Sequence, residues 1–248
     1  MTARSNAHQA AHAAHEALDH VADHVREALA EVKPKLRGWL HLGTVPVTLA
    51  AGIVLIALSP TTTTRIGSTI FVASALVLFS VSAIYHTRTW GPRAWAFLRR
   101  FDHSNIFLLI AGSYTPFTLI FLEGFEQTLL LSIVWTGALL GMVFRIFWTD
   151  APRWLYTPIY IALGWAAAFF IPDFAAGTDN VGLGIGIASL VLVATGGVLY
   201  TLGGVVYGLK RPNPSPRWFG FHEVFHTFTI LAFVTHYVGV SLATYSLR

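Results

Sequence analysis

The chain of 248 residues contains no cysteine. Disulfides, thiolate zinc sites and cysteine nucleophiles are all excluded at once, so any metal must be held by His, Asp, Glu or water. Charge is scarce as well. Only 11% of the residues are Asp, Glu, Lys or Arg, against about 25% in an ordinary soluble domain, so most of this chain is not built for water. The formal net charge of +4 is too small to suggest nucleic acid as a partner, and where the charges fall matters more than their sum. The first forty residues are polar and rich in Ala and His, with five acids. They lack the apolar core and cleavage site of a secretory signal, so the N-terminus is expected to stay on the side where it is made.

What the chain has in quantity is apolar sequence: 54% hydrophobic residues and 14% aromatics, with 8 Trp. A bilayer core needs about 20 mostly apolar residues per helix. Such runs occur seven times, over Leu40–Leu58, Ile66–His86, Asp102–Leu122, Leu129–Trp148, Leu155–Phe174, Val181–Leu209 and Phe219–Tyr245. The sixth is long and glycine-rich, which suits close helix packing and tilt. Pro116 and Pro158 fall inside spans and are expected to kink them. No alternating strand pattern competes. The fold class is therefore all-α: a polytopic membrane protein of seven transmembrane helices.

The basic residues orient it. Lys33, Lys35 and Arg37 precede the first span, and Arg88, Arg93, Arg99 and Arg100 follow the second. Arg145 and Arg153 flank the loop after the fourth, and Lys210, Arg211 and Arg217 follow the sixth. The other side carries Arg65 and Arg248 with Glu123, Glu126, Asp173 and Asp179. The positive-inside rule then puts the N-terminus in the cytoplasm and the C-terminus outside. Two regions are expected: a polar His/Ala-rich cytoplasmic tail over residues 1–32, and a transmembrane domain over residues 33–248. The tail has an amphipathic stripe of Leu18, Val21, Val25, Leu29 and Val32, consistent with a helix resting on headgroups. Its histidines (His8, His12, His15, His20 and His24) also allow a metal-catching or pH-sensing arm.

Ionisable groups inside spans are expensive, so each asks for a reason. After the tail these are His41, His86, Asp102, His103, His222, Glu223, His226 and His236. His86 ends the second span, Asp102 and His103 open the third, and His222 to His226 open the seventh, so all lie at the cytoplasmic ends of their helices. His222 and His226 are four residues apart and leave one helix face a turn apart. With His86 they make a three-His set, which leaves a fourth position for water, as in a catalytic zinc site. Asp102 could orient that water or take its proton. Ser82, one turn from His86 on the same helix, could hold an oxyanion. His236 lies about 15 Å along the helix from His226, too far to share a metal. His41 and His236 are read as snorkelling or helix-capping residues at the membrane interface rather than ligands. His103 points about 100° away from Asp102, so contact with backbone or headgroups is expected rather than with the metal.

Three separated stretches carry a family resemblance: SAIYHTRTW (Ser82–Trp90), LRRFDHSNIFLLIAGSYTPF (Leu98–Phe117) and HEVFHTFTILAFVTHYVGVS (His222–Ser241). With the entry segment KPKLRGWLHLGTVPVTLAAG (Lys33–Gly52), the chain resembles the hemolysin III family, bacterial relatives of the adiponectin and progestin receptors. That resemblance implies seven helices in the plasma membrane of a bacterial-type cell, and a zinc ion near the cytoplasmic face. His86, His222 and His226 match the family's zinc histidines, Asp102 the acid reaching zinc through water, and Ser82 the serine of S-x-x-x-H. The wider superfamily includes alkaline ceramidases, which hydrolyse a lipid amide.

His222 to His226 also spells H-E-x-x-H, the zinc-protease pattern, in which Glu223 would polarise water. No Asp or Glu follows Glu223 to act as a later third ligand. Glu223 is also rotated about 100° from His222 and suits a helix N-terminus. The expectation is an H-x-x-x-H motif that matches the protease pattern by coincidence. Two functions stay open: a zinc-dependent hydrolase of a lipid amide or ester, with membrane lipid or fatty acid as ligand, and a non-catalytic sensor or effector in which zinc is structural. A secreted pore-forming toxin is disfavoured by integral spans with no cleavable signal.

Overall fold

A computed structural model describes residues 34–248; the expected tail over residues 1–32 lies outside the described residues. The helices are α1 (Trp39–Leu58), α2 (Thr62–Thr87), α3 (Pro92–Phe121), α4 (Gly124–Phe147), α5 (Arg153–Gly164), α6 (Ile171–Ala176), α7 (Leu183–Leu209) and α8 (Phe221–Tyr245). Among the described residues, seven segments are long and apolar enough to cross a membrane, the fifth being the composite Arg153–Val181. Even α1, with 20 residues, rises about 30 Å, the thickness of a bilayer core.

Local sequence explains several of the boundaries. Thr61 accepts from the Thr64 N–H at 3.1 Å, and the Thr64 hydroxyl accepts from the Thr61 N–H at 3.1 Å, a reciprocal cap that starts α2. Pro92 opens α3, where its missing N–H costs nothing. That start is ten residues earlier than the apolar run, because Arg93, Arg99 and Arg100 hide an amphipathic first stretch from a hydropathy scan. Asp102 and His103 therefore sit within α3 rather than opening it.

The fifth span breaks at Trp165, into a short 3-10 stretch (Ala166–Phe170), then α6, then a second 3-10 stretch (Gly177–Val181). Pro158 stays inside α5. A broken helix at membrane depth needs its freed backbone groups satisfied by protein. Tyr114 of α3 does this twice: its hydroxyl donates to Gly164 O at 2.7 Å and accepts from the Ala167 N–H at 3.0 Å.

α2 packs on α1 and α3, α3 on α4, and α7 on α8, while α8 reaches back to α1 and α3. The core between them is aromatic: Phe71, Phe79, Phe107, Phe121 and Phe233 are buried, with Phe71 stacked on Phe233 at 5.2 Å and Phe79 edge-on to it at 5.3 Å. Ile53, Leu140, Phe169 and Val191 face outward, as lipid-facing surface should. Between α3, the fifth span, α7 and α8 lies an apolar cavity of about 380 Å³ whose lining includes Tyr114, Phe117, Tyr160, Tyr200, Tyr207 and His236.

Apart from Arg65 and Arg248, every described Lys and Arg lies toward the end of the bundle where α1, α3 and α8 begin. This basic end carries a strap. The Lys35 and Leu36 N–H groups donate to Arg217 O and Trp218 O at 3.0 and 3.3 Å, tying the entry to α1 onto the loop before α8.

Candidate metal centre

Three helices deliver polar side chains to one point below that strap. His86 comes from the last turn of α2, Asp102 from α3, and His222 and His226 from the first two turns of α8. All are buried, with exposures of 7%, 9%, 8% and 2% in that order. The His222 Nε2 lies 3.2 Å from the His86 Nε2, and one nitrogen from each of the three imidazoles falls within 4.8 Å of the others. Without an ion, the His86 and His222 nitrogens can share one N–H as a hydrogen bond. With both deprotonated at those positions, their lone pairs are free for a shared cation. The three residues fit a metal and could hold one.

Asp102 adds charge of the right sign. Its Oδ2 is 3.6 Å from the same His86 Nε2 that faces His222, too long for a hydrogen bond but close for a Coulombic contact. Ser82 lies on the buried stripe of α2 that also carries Phe79, Ala83 and His86, one turn deeper than His86, and is 2% exposed.

Backbone shape at the site depends on Gly38. It has φ +84°, and a Cβ there would stand 2.6 Å from the His86 Cβ. Only glycine lets the strap lie directly on the backbone and Cβ of His86 at the end of α2.

Glu223 turns away from the cluster. Its Oε1 accepts from Arg37 Nε at 2.9 Å and its Oε2 from the Gly220 N–H at 2.7 Å, with the side chain fully buried. The acid thus caps α8 and anchors the strap. That commits both oxygens, as an H-x-x-x-H reading of the motif requires.

His103 also stays outside the cluster. Arg145 Nη2 donates to its Nδ1 at 3.2 Å, since arginine has only donors, and Tyr160 donates to its carbonyl at 3.1 Å. Its side chain meets arginine rather than backbone or headgroup. His236 neither snorkels nor caps a helix: it is buried, with its Nε2 3.2 Å from Val193 O, bridging α8 to α7. Gly196 makes the room, because a Cβ there would come within 2.3 Å of that ring.

Two residues escaped sequence reasoning. Arg145, taken as flanking a loop, lies inside α4 at 1% exposure with its guanidinium over the Tyr156 ring at 4.2 Å. His41 does not snorkel or cap: it is buried and stacks on His226 with ring centroids 3.8 Å apart and planes at 17°. Its depth was the available signal: it begins α1 at the basic end, level with His86 and His226.

Among the described residues, seven apolar spans define a multi-pass membrane protein, and its buried His86, His222 and His226 could hold a metal ion. The chain belongs to the haemolysin III family: residues 29–237 match the family described as Haemolysin-III related. It is 36% identical over 154 residues to the "Hemolysin-3 homolog" of Bacillus subtilis (strain 168), covering 62% of this chain and 68% of that one. It is 33% identical over 139 residues to "Hemolysin-3" of Bacillus cereus, covering 56% of this chain and 60% of that relative. A more distant similarity, 26% over 188 residues, joins it to the "Adiponectin receptor protein" of Drosophila melanogaster, covering 69% of this chain and 41% of the receptor.

Proposed function

We propose that this protein is a zinc-dependent hydrolase of an amide or ester bond in a membrane lipid. The observation that carries the reading is the meeting of three imidazoles and one carboxylate beside an apolar cavity. Tyr207 lines that cavity and its ring lies 5.8 Å from His222. Zinc suits the all-imidazole donor set. Two imidazole nitrogens on a tetrahedral zinc with bonds of about 2.0–2.1 Å stand about 3.3–3.4 Å apart, and His86 and His222 stand 3.2 Å apart. Three nitrogen ligands leave one position open.

When bound, zinc would supply Lewis acidity and lower the pKa of a water toward about 7. The remaining tasks fall to the chain. Asp102 faces the site; it would take the proton of the attacking water and return it to the leaving amine or alcohol as the acyl C–N or C–O bond breaks. Ser82, a turn deeper, donates to the developing oxyanion. The cavity between α3, the fifth span, α7 and α8 takes the acyl chain. The reactive end sits at the basic face, which the positive-inside rule makes cytoplasmic, with the C-terminus outside.

A second reading is a sensor or effector with structural zinc. The deep burial of the histidines favours it, since a closed site suits a tie between α2 and α8. Asp102→Asn separates the two. As a hydrolase, the variant keeps its zinc and loses release of fatty acid from detergent-solubilised lipid amide, while His226→Ala loses both. Normal turnover by Asp102→Asn would sink the proposed mechanism.

A further inference from the structure

The functional reading leaves His41 without a role. Its ring is 2% exposed, with His226 stacked on one face and Phe79 tilted against it at 5.0 Å. Neither ring nitrogen has a hydrogen-bond partner. Stacking alone does not call for imidazole. A phenyl ring would fill the slot between His226 and Phe79 without burying an unpaired donor and an unpaired acceptor, which is costly. Nor is His41 placed as another ligand. It meets His226 face to face, so its nitrogens lie in a layer parallel to that ring, whereas a ligating nitrogen points its lone pair at the ion in the plane of its own ring. A ring in that layer is well placed to bond a group standing above the plane of His226.

We infer that His41 is a positioning residue of the metal centre: its stack sets the plane of His226, and one of its ring nitrogens bonds an oxygen that enters with the ion. This inference rests on the metal reading above. The shared chemistry is a hydrogen-bonding oxygen, supplied either by solvent on the ion or by the carboxylate of a fatty acid. Groups that bond a metal's ligands from behind are worth about 10–100-fold in metal affinity.

The test uses the full chain in detergent, with His41→Phe and His41→Gln beside the wild type. Three quantities are measured: zinc affinity by chelator competition, the absorption bands of the cobalt-loaded protein, and thermal unfolding of the metal-free protein. Zinc held by tail histidines is common to all forms and cancels in the comparison. Metal-free His41→Phe should unfold at or above the wild-type temperature, because the unpaired nitrogens are gone. Its zinc affinity should nevertheless fall about tenfold or more, with shifted cobalt bands. His41→Gln, which keeps a donor and an acceptor, should bind zinc more tightly than His41→Phe. A loss already present without lipid assigns the oxygen to solvent; a loss seen only with added laurate assigns it to the carboxylate.

If His41→Phe binds zinc within twofold of wild type and keeps its cobalt bands, His41 is packing alone and the inference fails. If His41→Gln binds more weakly than His41→Phe, only the stack matters and the hydrogen-bonding role is overturned. A wild type that takes up no zinc or cobalt at the core overturns the metal reading itself, and this inference with it.

Discussion

Replacing Glu223 with Gln should cost the protein stability but not its metal. The carboxylate accepts two hydrogen bonds, one from Arg37 Nε at 2.9 Å and one from the Gly220 N–H at 2.7 Å. A glutamine amide offers one oxygen, so at least one of those donors would face an NH₂ group instead. Bonds to a charged group are worth about 1.5–3 kcal/mol each, and Glu223 is fully buried. Arg37 keeps 19% exposure and can turn to solvent, which softens the loss. The net expectation is about 2–3 kcal/mol of unfolding free energy, short of the about 3–5 kcal/mol for breaking a fully enclosed ion pair. Equilibrium unfolding in mixed micelles measures it, with zinc content and fatty acid release followed on the same preparation. Loss of a general base would instead lower turnover about 10²–10⁴-fold. Unchanged stability with abolished turnover would refute the assignment of Glu223 as a cap and revive the metalloprotease reading.

Gly38→Ala forces a Cβ to 2.6 Å from that of His86 at φ +84°. It should destabilise the protein by more than the about 1–2 kcal/mol of left-handed strain alone and weaken zinc binding; a variant matching wild type in both would mean that the strap does not press on the site. Gly196→Ala should displace His236 and loosen α7 from α8 by about 1–3 kcal/mol. Adding His236→Ala should recover part of that loss, and simple additivity of the two would show that the ring is not what the glycine accommodates. Because the natural chain has no cysteine, one introduced thiol reports topology cleanly. Glu126→Cys should react with a membrane-impermeant maleimide on intact cells and Arg93→Cys only after permeabilisation; the opposite pattern would invert the proposed orientation.

The spans were legible because bilayer thickness imposes a length and a composition on each helix independently of its neighbours. The depth at which His86, His222 and His226 meet followed from the same count, since helices that alternate in direction bring alternate ends to one face. What depended on tertiary partners was not legible. The break at Trp165 persists because the Tyr114 hydroxyl serves Gly164 and Ala167, and nothing local to residues 164–167 announces that partner. Arg145 is tolerated inside α4 because His103 and Tyr156 enclose its guanidinium, a pairing made across helices. The early start of α3 was hidden because hydropathy detects burial in lipid, not helix, and its first turns are basic. His41 was visible as a depth but not as a contact, since a stack on His226 depends on how α1 leans against α8.

The most direct test of the central claim is the zinc content of the purified protein and of its His86→Ala form, each with and without residues 1–32. The account predicts about one zinc per chain in the core, retained when the tail is removed and lost in His86→Ala. Zinc that survives His86→Ala in the shortened chain, or its absence from the wild type, would contradict a site shared between α2 and α8.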